Sequence, residues 1–303
     1  MDIKVAVLLS SYNGEKYIEE QIDSILAQSL KNIVLYIRDD GSKDGTVSIL
    51  KKYESNPQIK IEYGENMGFF ASFLWLLNHC EKSDYYAFAD QDDHWYPDKL
   101  EIAVKNLRKT ANKPVVYCCN MNFCDDNMQH AVKQMVKYPF SIEKTIINGE
   151  CGYGFTQVFN NATRDLILGK EAPKSYKIIA HDAWIHLLCL ACGSVIYDEN
   201  VHADMRRHGG NTSIHEYHGG TWWKHQIWRV SEFFIKGNGK EIYKEIDIFF
   251  DTFKYVLPNR AKKIIKFYVT PGHRVKKAFY PQRYRDNLVD EVLLRFLFLI
   301  GKM

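Results

Sequence analysis

Long apolar runs are missing from this chain. No stretch approaches the roughly 20 consecutive apolar residues of a membrane span, and the run Val5–Leu9 is too short for a secretory leader, passing straight into Ser10-Ser11-Tyr12-Asn13-Gly14. Glycine-rich phosphate cradles are missing as well. No G-x-G-x-x-G follows that run and no G-x-x-x-x-G-K-[ST] occurs anywhere, which argues against a dinucleotide-binding or P-loop protein. Charge of one sign is scarce: a net charge of +3 is too small to mark a nucleic-acid binder. Cysteine has no framework. The seven residues Cys80, Cys118, Cys119, Cys124, Cys151, Cys189 and Cys192 are odd in number and irregular in spacing, so a reducing, cytoplasmic compartment is expected rather than disulfides. Cys189-x-x-Cys192 lies inside the apolar run LLCLAC without a partner pair, and reads as buried thiols rather than a zinc or redox half-site. There is no internal repeat and no low-complexity linker.

What is present is globular: 303 residues, 46% hydrophobic and 25% charged. The N-terminal half alternates. Apolar runs at Ile3–Leu9, Ile33–Ile37, Ile59–Tyr63, Tyr85–Ala89 and Val115–Cys119 read as strands. Helical patterns stand between them, beginning near Glu15, Asp44, Phe70 and Asp98. Strands alternating with helices predict a doubly wound, mainly parallel α/β sheet. After the fifth strand the alternation stops. Residues Asn122–Lys144 read as an irregular loop, Trp184–Cys192 as a helix, Val195–Tyr197 as a strand and Met205–Ser213 as a cationic turn.

Open parallel sheets bind ligands beyond the carboxyl ends of their strands. Four polar clusters fall there: Ser10–Asn13, Asp39–Ser42, Asn66–Gly68 and Asp90–Asp93. The last is the densest, with three carboxylates in four residues. Acids so crowded need a cation, a cationic partner or open water, and a divalent metal is the simplest common partner.

Taken in order, V-A-V-L-L-S-S-Y-N-G-E at the start, D-D-G-S-K-D-G-T at 39–46, N-x-G at 66–68, D-Q-D-D-x-W-x-P-x-K-L at 90–100, H-D at 181–182 and R-R-H-G-G-N at 206–211 resemble the inverting, GT-A-type glycosyltransferases of family 2. The resemblance covers about residues 3–215. The D-Q-D-D-x-W form with H-D is similar to a bacterial rhamnosyltransferase-like subgroup that builds surface polysaccharides. It implies a GT-A catalytic domain over residues 1–218, a nucleotide-diphospho-sugar donor such as dTDP-rhamnose or a UDP-sugar, a saccharide acceptor that is lipid-linked, and a divalent cofactor, Mn²⁺ or Mg²⁺.

The resemblance also assigns roles. Asp92 matches the metal-binding carboxylate, with Asp90 as the other acid of the motif, and His208 reaches the metal or a phosphate. Asp93 and Gln91 fall to the donor sugar, or Asp93 to the start of the following helix. Asp39 and Asp40 match acids that recognise the base, Asp40 being the choice for the ring N–H and the other acid holding the loop. Ser10, Tyr12, Asn13, Asn66 and Gly68 match positions around the nucleoside. Asp182 matches the catalytic base, although an acid before an apolar helix is also an ordinary N-cap. His181 stands where many relatives carry glutamate. Arg206 and Arg207 match a cationic turn over the diphosphate, and Gly152–Thr156 the segment near the donor sugar and acceptor. A non-catalytic sugar-binding module on the same fold could lose Asp92 or Asp182; this chain keeps both. A nucleotidyltransferase would show a glycine-rich basic loop where Ser-Ser-Tyr-Asn-Gly stands.

Residues 219–303 lie beyond the motifs and read as a helical appendage. Trp222, Trp223 and Trp228 accompany Lys224, His225 and Arg229. Residues 252–285 hold ten Lys or Arg and no acid, and Val289–Ile300 is strongly apolar. A basic, aromatic and apolar surface suits peripheral docking on an anionic membrane, at the inner face of the cell membrane. A plain helical subdomain or a homodimer interface suits it equally. Nucleic acid has no motif behind it.

Overall fold

The computed structural model of the chain describes residues 3–110, 112–134, 139–149, 151–174, 176, 179–209, 239–270, 272–285 and 287–302. The end of the R-R-H-G-G-N motif and the three tryptophans from Trp222 to Trp228 lie outside them. The chain divides into two units. The first holds residues 1–138, 151–174 and 180–208; the second holds 139–150, 175–179 and 209–303. The second unit therefore begins before residue 219 and recruits two upstream segments. Packing, not chain order, decides this. The helix Ile142–Asn148 buries Ile146 and Ile147, and its Glu143 accepts a hydrogen bond from the Tyr280 hydroxyl (3.2 Å). The Ile179 N–H likewise donates to Glu245 (2.8 Å).

In the first unit β1 (Val5–Ser11), β2 (Ile33–Asp39), β3 (Ile59–Tyr63) and β4 (Tyr85–Ala89) pair in parallel in the order β3-β2-β1-β4. Val5 through Leu9 are all fully buried, which explains their unbroken apolar pattern: an interior strand is covered on both faces. The connecting helices are α1 (Ile18–Leu26), α2 (Thr46–Leu50), α3 (Phe69–His79) and α4 (Lys99–Leu107). On α1, Ile18, Ile22 and Ile25 form the buried stripe.

Beyond β4 the sheet becomes mixed. With β5 (His94–Trp95), β6 (Val115–Cys124), β7 (Val132–Lys133), β8 (Gln157–Asn160) and β9 (Ser194–Arg206), its order is β3-β2-β1-β4-β8-β6-β9-β5, with β7 on β6. β8 is antiparallel to both β4 and β6, while β6 and β9 are parallel. No βαβ crossover leads into β8, so nothing forces it parallel. Two expectations change here. The fifth strand continues to Cys124, into the stretch read as loop. β9 runs to Arg206, which pairs with Cys124 across a register shifted twice. Arg206 thus sits on a strand rather than in a turn. α5 (Ile142–Asn148) belongs to the second unit, and α6 (Asn161–Ile167) and α7 (His181–Cys192) to the first.

The second unit is helical: α5 with α8 (Gly239–Phe253), α9 (Asn259–Val269), α10 (Arg274–Ala278) and α11 (Leu288–Leu299). Ile242, Ile246, Phe249 and Phe253 recur at helical spacing on α8 and are buried. Tyr268 and Tyr284 share a buried hydroxyl–hydroxyl bond (2.9 Å), and the buried Lys277 ammonium donates to the Tyr268 carbonyl (2.8 Å). Among the described residues no helix is long and apolar enough to cross a membrane.

Candidate active site

The sheet order sets three polar loops side by side, at the carboxyl ends of β2, β1 and β4. They are stitched together by their own side chains. The Tyr12 N–H donates to Gln91 Oε1 (2.9 Å) and Gln91 Nε2 donates back to the Tyr12 carbonyl (3.0 Å). Asn13, at φ +50°, receives the Lys43 N–H on its side chain and gives its own N–H to Ser42 Oγ. Gln91 and Asn13 therefore position loops. Ser10 Oγ donates to Ser72 Oγ (2.7 Å) and is half-buried, while the Tyr12 ring is 43% exposed and open to a ligand.

The two acids after β2 divide their work. Asp39 accepts from the Gly41 and Ser42 N–H groups and from the Ser11 and Ser42 hydroxyls. Four donors fill a carboxylate, so Asp39 is engaged in holding the loop. Asp40 is ion-paired with Arg38 and accepts the N–H groups of Met67 and Gly68. It keeps capacity for one further donor, but only 2% of its surface is exposed. Gly68, at φ +83°, turns the chain so that its N–H meets Asp40. Asn66 itself is exposed. Arg38, which no sequence pattern singled out, is the counter-charge of this pocket.

The acid turn after β4 is clamped from β9. β5 pairs His94 with Asp204 and Trp95 with Ala203, which sets Arg206 against the turn. Its backbone N–H donates to Asp93 (3.3 Å), its Nε to the Asp92 carbonyl (3.1 Å), one Nη to the Asp126 carbonyl (2.6 Å) and the other to Glu20. The guanidinium is engaged on three sides and only 4% exposed. These contacts tie Arg206 to the acid turn. Arg207 lays its guanidinium on the Phe123 ring at 3.8 Å. His208 Nε2 meets Asp92 Oδ2 at 2.7 Å, and the Tyr17 ring lies between Arg206 and His208, 4.7 Å from each.

The carboxyls of this turn are under electrostatic pressure. Burial, and then the charges of Asp92 and Asp182, push Asp90 up to about 8. Burial, Asp92 and Asp90 raise Asp93 well above the carboxylate range, and the Arg206 contacts only partly offset this. Crowded carboxylate oxygens of this kind have the chemistry that a hard divalent cation takes. Among the described residues no group of three or more His, Cys, Asp or Glu side chains is placed to hold a metal ion by itself. Mg²⁺-type sites commonly complete their shell with substrate phosphates. Asp93, buried and bound to the Arg206 N–H, is the structural member of the three.

Asp182 stands in the first turn of α7, not at its N-cap, which is Ala180. Its carboxylate accepts the Ala183 N–H (2.8 Å) and is pushed up to about 6 by burial, with the N–H groups of Ala183 and Gly154 and the Cys151 thiol pulling the other way. Its position is set by His181, a buried neutral ring. It stacks on Phe73 (4.1 Å) and meets Phe88 edge-on (4.7 Å), and burial lowers it to about 3. The glycines of 152–156 are there for contact. A Cβ on Gly152 would strike Cys118, and one on Gly154 would come within 2.9 Å of His181 Nε2.

The family model of glycosyl transferase family 2 matches residues 6–166. The chain belongs to glycosyl transferase family 2. Its activity is that of a glycosyltransferase. An uncharacterized glycosyltransferase of Rickettsia typhi is 27% identical over 300 residues, which is 92% of this chain and 91% of the relative. The dTDP-rhamnosyl transferase RfbG of Shigella flexneri is 35% identical over 105 residues, 33% of this chain and 36% of that protein. Among solved structures, S. aureus TarS 1–349 in complex with UDP-GlcNAc is similar with a TM-score of 0.60 and 16% identity, covering 99% of this chain and 81% of that one. The mannosyltransferase PcManGT from Pyrobaculum calidifontis, in complex with GDP-Man and Mn²⁺, gives 0.53 and 15%, covering 100% and 86%. These likenesses establish the GT-A fold for this family 2 chain.

Proposed function

We propose that this family 2 enzyme transfers a hexose, with inversion, from a nucleoside-diphospho-sugar to a hydroxyl of a saccharide acceptor. The observation that carries the reading is Asp182: a half-buried carboxylate raised to about 6, within electrostatic reach of the acid turn. Asp182 takes the proton of the acceptor hydroxyl as that oxygen bonds to the anomeric carbon. The bond from that carbon to the diphosphate oxygen breaks, and its electron pair leaves with the nucleoside diphosphate. A divalent cation on Asp92, Asp90 and His208 would offset the charge of that leaving group when bound. Gln91, Asn13 and Asp39 keep the nucleotide loops in register, Arg206 holds the acid turn, and Tyr12 and Asp40 border the base.

A pyrimidine donor, dTDP-rhamnose or a UDP-sugar, suits a pocket whose remaining acceptor is a carboxylate, and the RfbG relative supports the first of these. A lipid-linked acceptor and a role in bacterial surface polysaccharide synthesis at the cytoplasmic side complete the reading. The test is Asp92→Ala with a panel of nucleotide-sugars and Mn²⁺ or Mg²⁺. Metal-stimulated donor hydrolysis and transfer should be lost while the fold melts normally. Full transfer by this variant removes the assigned role of Asp92.

A further inference from the structure

We infer that the second unit docks on an anionic lipid bilayer through the outer face of α11 together with α10. α11 is apolar on two sides. Leu294, Leu297 and Phe298 face the interior of the unit. On the other side Leu288, Val289, Val292, Phe296, Leu299 and Ile300 are between 40% and 65% exposed. At 3.6 residues per turn these six fall within an arc of about 120°, and no charged position of the segment falls in that arc. A helix facing water carries polar residues there, and a continuous exposed apolar strip marks an interaction surface.

Cations border the strip. Val275 on α10 and Phe279 at its C-cap are 63% and 72% exposed, with Arg274 and Lys276 exposed beside them. The Arg274 guanidinium lies where a Cβ of Gly301 would be, just past the end of α11. The acids of α11 do not counter this charge. Glu291 is buried and paired with Arg295 (2.6 Å), and Asp290 falls outside the arc. Apolar side chains at the acyl boundary with Lys and Arg at the headgroups are the two attractions of an anionic interface. A second copy of this chain is the poorer occupant, because an isologous contact brings the cations of both copies into the seam while the strip's arc offers no acid to pair with them. The inference stands on the second unit alone and does not depend on the catalytic reading.

The experiment is co-sedimentation of the full chain with vesicles of equal parts phosphatidylglycerol and phosphatidylcholine, and with phosphatidylcholine alone. Strong, salt-sensitive binding to the first and weak binding to the second is the expected result. The double variant Arg274→Ser/Lys276→Ser should lower the partition coefficient about 30-fold, at roughly 1 kcal/mol per surface cation. Val292→Asn/Phe296→Ser should abolish binding with an unchanged thermal melt, both positions being exposed. Equal binding to both vesicles, no binding to either, or undiminished binding by the apolar-face variant overturns the inference. So does sedimentation equilibrium showing a dimer that Phe296→Ser dissociates. Donor hydrolysis in solution is outside the readout, so failure here leaves the catalytic reading standing.

Discussion

Replacing Asp182 by asparagine separates catalysis from stability, with opposite signs. Burial raises this carboxyl from 3.8 to about 6, so ionising it in the folded chain costs more than in the unfolded one. The difference of about two units corresponds to about 3 kcal/mol if the group were fully enclosed, and to roughly 1–3 kcal/mol for a half-buried one after solvent screening. The sign follows from proton binding. Between pH 3.8 and 6 the folded state holds more protons, so stability falls as pH rises through that window, and the full penalty is present above it. Asparagine keeps the oxygen that accepts the Ala183 N–H and carries no charge. At pH 7.5, without donor or metal, Asp182→Asn should therefore melt at a higher urea concentration, and the gain should vanish below about pH 4. Catalysis moves the other way. Loss of a general base lowers the rate about 10²- to 10⁴-fold, while nucleotide binding persists. In the wild type, transfer should decline about tenfold per unit below pH 6, and the variant should lack that limb. Transfer above about a tenth of wild type, an unchanged acid limb, or lower stability at pH 7.5 would refute the assignment.

Two further substitutions test the supports of the site. Arg206→Met removes the hydrogen bonds to the Asp92 and Asp126 carbonyls and the pair with the half-exposed Glu20; the chain should lose about 1–3 kcal/mol in urea melts together with its donor turnover, and an unchanged melt would remove the clamp role. Lys99 is fully buried, with its ammonium over the Trp95 ring at 3.7 Å and no hydrogen-bond partner among the described residues, and burial lowers it to about 8. Its folded state holds fewer protons between about pH 8 and 10.5, so stability rises with pH through that window. Lys99→Met should gain up to about 3 kcal/mol at pH 7, less the lost ring contact, and nothing above pH 10.5. A loss at pH 7 would show that the ring contact outweighs desolvation.

The N-terminal half was legible because its signals are local. An interior strand such as Val5–Leu9 must be apolar on both faces, and a polar run such as Asp39–Ser42 or Asp90–Asp93 must follow the strand that carries it. The sequence therefore determined the four parallel strands, the family, and the polar loops that the sheet sets side by side. It did not carry β8, whose four residues enter without a crossover helix, nor the extension of β9 that brings Arg206 against the acid turn.

Which acid is occupied and which is available was decided in three dimensions. Asp39 and Asp40 are adjacent in the sequence, yet one is filled by four donors of its own loop and of Ser11, and the other is paired with Arg38 and with N–H groups 27 and 28 residues away. The reach of Asp182 to Asp90 joins elements 92 residues apart, and the clamp from Arg206 to Glu20 spans 186. Recruitment of α5 to the second unit and the open face of α11 are of the same kind. Patterning shows that a helix is apolar, but only its neighbours decide which of two apolar faces is covered. Burial, charge pairing and hydrogen-bond capacity belong to the surroundings of a residue, and those surroundings exist only once the chain has folded.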